Sequence, residues 1–210
     1  MLCLFIGGFF LKKTFFLISL VCIMFSSVFS FVNYEKEEEL MFLLNTAEHR
    51  ISKFHMNVSK RDMHLLSETM PYVIKVCDYF SVNPLFLLTL IEHESNYKWA
   101  YGDSNKAVGF LQLHLNTAIF VQKKYNYILE ELGLFYHEIP DIDFLNKTPV
   151  KTMVLSTLWF CYNFQRTNGS YIKAVGFYNG IENQEYILNY FSRFSDMFVD
   201  YLHISTAAGI

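Results

Sequence analysis

Apolar residues recur along most of this chain at the three- and four-residue spacing of a helix. Leu40, Leu43, Leu44, Ala47 and Ile51 share one face of a charged stretch, which predicts an amphipathic helix over residues 35–54. Asn57-Val58-Ser59 breaks that pattern, and a second helix is predicted over residues 60–80. Ser81-Val82-Asn83-Pro84 reads as a short turn. Asn83 has a capping side chain and Pro84 suits the first turn of a third helix, which ends near Ser95. Residues 96–106 are polar, contain Gly102, and read as a loop. Further helices are expected over residues 109–125, part of 126–134, 150–166, 170–178 and 184–202. Residues 140–149 read as a connection, Asn168-Gly169 as a stop, and the end from Thr206 as a frayed tail. No alternating strand, internal repeat or low-complexity tract stands out. The expected class is mostly α.

The first thirty residues follow a different pattern. Lys12 and Lys13 precede an apolar run from Thr14 to Phe25, then Ser26-Ser27-Val28-Phe29-Ser30, with no charge again before Glu35. A basic start, an apolar middle and small residues at a cleavage point after Ser30 describe a signal peptide. Residues 14–34 are also uncharged for long enough to span a bilayer, so residues 1–30 are assigned as signal peptide or membrane anchor. Ser19, Ser26, Ser27 and Ser30 favour cleavage. Lipidation at Cys22 is a third option, disfavoured by the bulk of Val21. All three place the rest of the chain outside the cytoplasm, with membrane association through this segment where it is retained.

A chain that is 52% hydrophobic and 18% aromatic can build a sizeable core, and its net charge of −3 gives no sign of a nucleic-acid surface. Cys77 and Cys161 follow the leader. Export permits a disulfide between them, while their apolar helical settings suit two buried thiols, and both options stand. No cysteine pair has metal-ligand spacing, and His93-Glu94 lacks a second histidine one turn on, so no metal is expected. Lys123-Lys124 reads as a solvated helix face.

One carboxylate draws attention. Glu94 closes the nearly all-apolar segment from Val82 and would share a helix face with Ile91, Leu90 and Leu87. Desolvation there disfavours the charged form, and a carboxylic acid held protonated near neutrality is what general acid catalysis requires. Glu92, two residues earlier, is expected to face away into water.

Three separated pieces then fall in order: Ile91-Glu92-His93-Glu94-Ser95, Ala107-Val108-Gly109-Phe110-Leu111-Gln112, and Ala174-Val175-Gly176-Phe177-Tyr178-Asn179-Gly180. Their order and spacing resemble the lytic transglycosylase domain of the soluble-type (SLT) family, a relative of goose-type lysozyme, over residues 76–189. That family carries a Glu-Ser pair ending a helix, then Gly-Leu-Met-Gln, then Ala-Tyr-Asn. The resemblance implies a lysozyme-like helical domain over residues 63–205, preceded by a helical extension over 31–62 that packs on it or spaces it from the membrane. It implies cleavage of the MurNAc–GlcNAc bond of peptidoglycan, with Glu94 as single acid and base, a 1,6-anhydro-MurNAc end and no cofactor; the leader adds export to the periplasm or the outer face of the cytoplasmic membrane.

It also implies binding roles for Ser95, Gln112, Tyr178, Asn179, Gly109 and Phe110. Ser95 is read as bonding substrate, Glu94 or backbone; Gln112 as holding an acetamido group or a loop. Tyr178 is placed near Glu94, Asn179 on the nearby backbone, and Gly109 where backbone approaches ligand closely. Tyr97, Trp99, Tyr101, Phe110 and Phe177 are sugar platforms or core. The sequence departs from the family at Phe110, Leu111 and Phe177. Gly180 comes one position early, and Thr152, Ser156 and Trp159 replace an Asn, a Gly and a Tyr. These swaps bear on cleft shape. Two alternatives remain open: a lysozyme-like hydrolase with Asp103 as second carboxylate, and a non-catalytic wall-binding protein. His114 follows Gln112 and is read as structural unless it reaches the cleft.

Overall fold

Helix ends in this chain are written in short polar signals, and the computed structural model bears several of them out. It describes residues 36–135, 138–139, 141–180 and 183–208; the leader assigned to residues 1–30 lies outside them. Contacts divide the chain between Glu37 and Glu38, and the unit Glu38–Ile210 is the subject below. Ser59 Oγ accepts the Asp62 amide at 3.1 Å while Asp62 accepts the Ser59 amide at 3.3 Å, a reciprocal box that starts the second helix. Asn83 Oδ1 accepts the Leu85 amide at 2.8 Å, and Pro84 opens the third helix, where its missing amide donor has no cost.

The order of elements is α1 (Lys36–Lys53), α2 (Lys60–Phe80), α3 (Pro84–Ser95), β1 (Tyr101–Gly102), β2 (Ala107–Val108), β3 (Leu113–His114), α4 (Leu115–Lys124), α5 (Asn126–Glu131), α6 (Ile142–Lys147), α7 (Pro149–Arg166), α8 (Tyr171–Tyr178) and α9 (Gln184–Ala207). The fold is mostly α. Helix α7 is its axis: α2, α4 and α8 pack on it, and α9 packs on α3. Among the described residues no helix is long and apolar enough to cross a membrane. Cys77 and Cys161 are free thiols, both buried, so the disulfide option closes.

Four expectations need correction. Residues 109–114 are not helical. They complete a three-stranded antiparallel sheet in the order β1-β2-β3, with Tyr101 opposite Val108 and Ala107 opposite His114. Its strands are two residues long, too short for alternation to show. Gly109 (φ 87°) and Gln112 (φ 49°) turn the chain between β2 and β3 through left-handed backbone, which no helix contains. Residues 142–147, expected as connection, form α6 because Asp141 caps them through the Phe144 amide at 2.7 Å. Helix α9 runs on to Ala207, so the tail frays later than expected.

The fourth concerns Glu92, which is 1% exposed rather than solvated. Helix α3 is enclosed on more than one side, so a two-residue offset from Glu94 does not lead to water. Arg50 of α1 forks onto Glu92, with Nε to Oε2 at 2.5 Å and Nη2 to Oε1 at 2.7 Å, and its Nη1 reaches Asp200 of α9 at 2.8 Å. Lys53 donates to Asp200 at 2.9 Å and Tyr97 to Glu92 at 3.2 Å. Burial raises the Asp200 carboxyl, but the hydrogen bonds from Lys53 and Arg50 outweigh it and hold the group below its ordinary value. Helix α1 is thereby tied into the same unit as the rest.

Removing Arg50 takes away the buried guanidinium that joins Glu92 to Asp200 and leaves each with one partly exposed cation, Arg193 or Lys53. Arg50→Met is expected to lose about 3–5 kcal/mol in urea denaturation at neutral pH. Lys53→Ala removes a side chain that is 43% exposed and is expected to lose under about 1 kcal/mol. Because the Asp200 carboxyl is depressed in the fold, its contribution is present above the ordinary aspartate value and is lost as pH falls through the folded value.

Candidate active site

Helix α3 delivers Glu94 to the surface at the end of a face made by Leu87, Leu90 and Ile91, all fully buried. The helix stops one residue later, at Ser95, because Asn96 and Tyr97 take left-handed backbone (φ 48° and 61°), which turns the chain away and leaves the Glu94 carboxyl beside open space. That space is a cleft of about 550 Å³. Glu94, Gln112, Tyr178 and Asn179, the residues singled out in the three sequence pieces, all line it, with Asp103, His114 and Trp159.

Glu94 is half-buried, and desolvation raises its carboxyl above the ordinary glutamate value. A short hydrogen bond from the Tyr186 hydroxyl to Oε1 opposes that rise by favouring the charged form. Glu94 has no ion pair with a described residue; the nearby Arg193 is spent on the other side of the helix, 3.6 Å from Glu92 Oε1 and 3.4 Å from the Asn96 Oδ1. Two carboxylates two residues apart therefore differ in kind. Glu92 is enclosed by cations, and Glu94 meets only a phenol and the cleft.

Tyr186 was not singled out by sequence. A signal was present: Tyr186, Tyr190, Arg193 and Asp200 repeat at spacings of four, three and seven along α9, a polar stripe on one face. Tyr190 uses it to donate to the Phe86 carbonyl at 2.8 Å, and the His93 ring stands edge-on to Tyr186 at 4.5 Å. Burial, then the charge of Arg193, lowers the His93 imidazole against the pull of Glu92, so a neutral ring supports Tyr186.

The opposite wall is built by the β2–β3 turn and α8. Gln112 donates to the Gly109 carbonyl at 2.7 Å and to the Ala100 carbonyl at 3.3 Å, so its amide clamps the turn while lining the cleft. The clamp needs Gly102, since a Cβ there would lie 1.6 Å from Gln112 Oε1. Tyr178 donates to the Leu111 carbonyl at 2.7 Å; burial first, and the charge of Glu94 second, push its phenol upward. Asn179 ends α8 at the cleft rim.

Three predicted residues do not reach the cleft. Phe110 is 0% exposed and packs edge-on against Trp99 at 5.2 Å, so it is core and not a sugar platform. Ser95 donates to the Ile91 carbonyl at 2.9 Å, the backbone option of those considered. Gly109 is buried, with a left-handed φ and Trp99 only 3.1 Å from where a Cβ would stand, so it serves the turn. Tyr97 and Trp99 are also core. Asp103 does reach the cleft, on a 59% exposed side chain whose Oδ2 lies 3.9 Å from His114 Nε2. Among the described residues no group of three or more His, Cys, Asp or Glu is placed to hold a metal ion.

The arrangement offers one desolvated carboxyl that can give up a proton and one phenol that steadies the resulting anion. No family model matches this chain, and no curated protein and no solved structure matches it either.

A group whose carboxyl is raised in the fold favours folding below its unfolded value and loses that contribution as pH rises through the folded one. Ionised Glu94 therefore costs stability at neutral pH. Glu94→Gln keeps an acceptor for Tyr186 and is expected to melt a few degrees above the wild type at pH 7. Differential scanning calorimetry across pH should show that gain shrinking toward acid.

Proposed function

We propose that this protein is an exported lytic transglycosylase that cleaves the MurNAc–GlcNAc bond of peptidoglycan strands, with Glu94 as its single general acid and base. The observation that carries the reading is the pairing of Glu94 with Tyr186 in a cleft shared with Gln112, Tyr178 and Asn179. A lysozyme-like architecture is part of the same proposal, as is a leader that takes the domain to the periplasm or the outer face of the cytoplasmic membrane.

The chemistry follows from one proton. Protonated Glu94 gives its proton to the glycosidic oxygen, and the C1–O bond breaks toward an oxocarbenium-like centre. Glu94 is now a carboxylate, and the Tyr186 hydroxyl stabilises it. The carboxylate takes the proton of the muramic C6 hydroxyl as that oxygen closes on C1. The result is a 1,6-anhydro end, a free hydroxyl on the leaving sugar, and Glu94 protonated again. No water is consumed, so no second carboxylate is needed. Tyr178 stands close enough to feel the Glu94 charge and shapes the same pocket. The turn clamped by Gln112 forms the wall against which the sugar is held.

A second reading rests on Asp103, which lines the same cleft. As base for a water it would make the protein a lysozyme-like hydrolase. Its exposure favours the first reading.

Digestion of purified peptidoglycan, analysed by mass spectrometry, separates the readings. The wild type is expected to release anhydro-ended fragments. Glu94→Gln should lose about 10²–10⁴-fold of the rate, the scale of general acid–base catalysis. Asp103→Asn should retain most of it. Reducing-ended products that disappear in Asp103→Asn would assign a hydrolase. Binding to sacculi without cleavage would make the protein a wall-binding module.

A further inference from the structure

Helices α4 and α7 leave the cleft side by side and carry the same pattern outward. On α4, Thr117 lines the cleft, Phe120 follows three residues on and Lys124 four beyond that. On α7, Trp159 lines the cleft, Tyr162 follows by three and Arg166 by four. Seven residues advance a helix by about 10 Å, so each set forms one stripe along its helix. The stripes meet. Phe120 stands edge-on to Trp159 at 6.1 Å and to Tyr162 at 5.3 Å, and Trp159 stacks on Tyr162 at 5.5 Å. Lys124 Nζ lies 5.1 Å and Arg166 Cζ 5.6 Å from the same Tyr162 ring. Trp159 is fixed where cleft and ledge join, its indole donating to the Tyr178 carbonyl at 3.4 Å.

The ledge is accessible and its outer end is basic. Phe120 is 44% exposed although it belongs to an aromatic cluster, and Lys124 and Arg166 are both exposed. Neither forms an ion pair with a described carboxylate. Both cations end their helices, where backbone carbonyls favour positive charge, and both are laid on aromatic rings, Arg166 also on Phe177 at 4.1 Å. That places two cationic heads around one tyrosine ring, on a chain whose net charge is negative, at the end of an aromatic path out of the cleft.

We infer that this ledge is a subsite for a sugar residue bearing an acidic peptide, the ring resting against Phe120 and Trp159 and the peptide carboxylates meeting Lys124 and Arg166. It rests on the proposed function and deepens it: the preferred substrate is the peptide-bearing strand rather than the bare glycan. An aromatic edge beside a cation pair suits such a ligand because the sugar offers C–H faces and the peptide offers carboxylates.

The test compares peptide-bearing glycan strands with the same strands stripped of peptide by an amidase. A Lys124→Gln/Arg166→Gln double variant is expected to raise KM for the peptide-bearing strands about three- to tenfold, the scale of two exposed ion pairs, with kcat unchanged. KM for stripped strands should not move, and the wild-type preference should fade with added salt. An equal effect on both substrates, or none on either, overturns the inference while leaving the parent reading intact. If the wild type cleaves neither substrate, the parent reading fails instead. Cosedimentation of the Glu94→Gln protein with intact and stripped sacculi then decides the ledge. Peptide-dependent binding lost on adding the two Gln substitutions supports it, and binding indifferent to peptide overturns it.

Discussion

Arg50 decides what Glu94 can be. Two carboxylates at the end of one helix would ordinarily share whatever positive charge lies near. Here the guanidinium forks onto Glu92 and bridges to Asp200, and Arg193 adds to the Glu92 side. The cations are committed behind α3, and Glu94 faces the cleft with a phenol as its partner. A buried ion cluster of this kind adds little net stability, because desolvation offsets most of the attraction. What it does is divide roles between neighbours: Glu92 is tied into the ion cluster, and Glu94 is desolvated and raised.

The cleft around Glu94 is shaped by backbone as much as by side chains. Left-handed residues end α3, and left-handed Gly109 and Gln112 fold the chain back between β2 and β3. That turn brings the Leu111 carbonyl to the Tyr178 hydroxyl, linking the sheet to α8, and Trp159 ties α7 to the same carbonyl end of α8. Walls held by short-range hydrogen bonds keep Gln112, Tyr178 and Asn179 in one place, as a site on a rigid frame requires. The aromatic ledge continues this frame outward.

Much of the fold could be read from the sequence. The helices carry strong periodicity, and Ser59, Asn83 and Pro84 act as the caps their chemistry suggests. The two-residue strands could not be read, because their cause is positive φ at Gly109 and Gln112 and not a hydrophobic pattern. The burial of Glu92 was hidden for another reason: its partners are 42 and 101 residues away, and only packing of α1 and α9 brings them together. Glu94, Gln112, Tyr178 and Asn179 were legible as a set. Phe110 was misplaced because an aromatic next to a motif glycine reads the same whether it faces sugar or core. Tyr186 lay outside the three pieces, visible only as part of the polar stripe on α9.

The proposed reaction requires Glu94 as proton donor, with a pKa raised by burial and opposed by the Tyr186 hydrogen bond. The most direct measurement follows the Glu94 carboxyl by carbon-13 NMR, identified by its loss in Glu94→Gln, beside the pH–rate profile of strand cleavage. Tyr186→Phe removes a hydrogen bond that favours the charged form. With Glu94 as donor, the NMR midpoint and the alkaline limb of the rate profile are expected to coincide in the wild type and to move upward together in the variant. A rate profile that stays in place while the Glu94 midpoint moves would contradict that role, because the proton reaching the glycosidic oxygen would then come from another group.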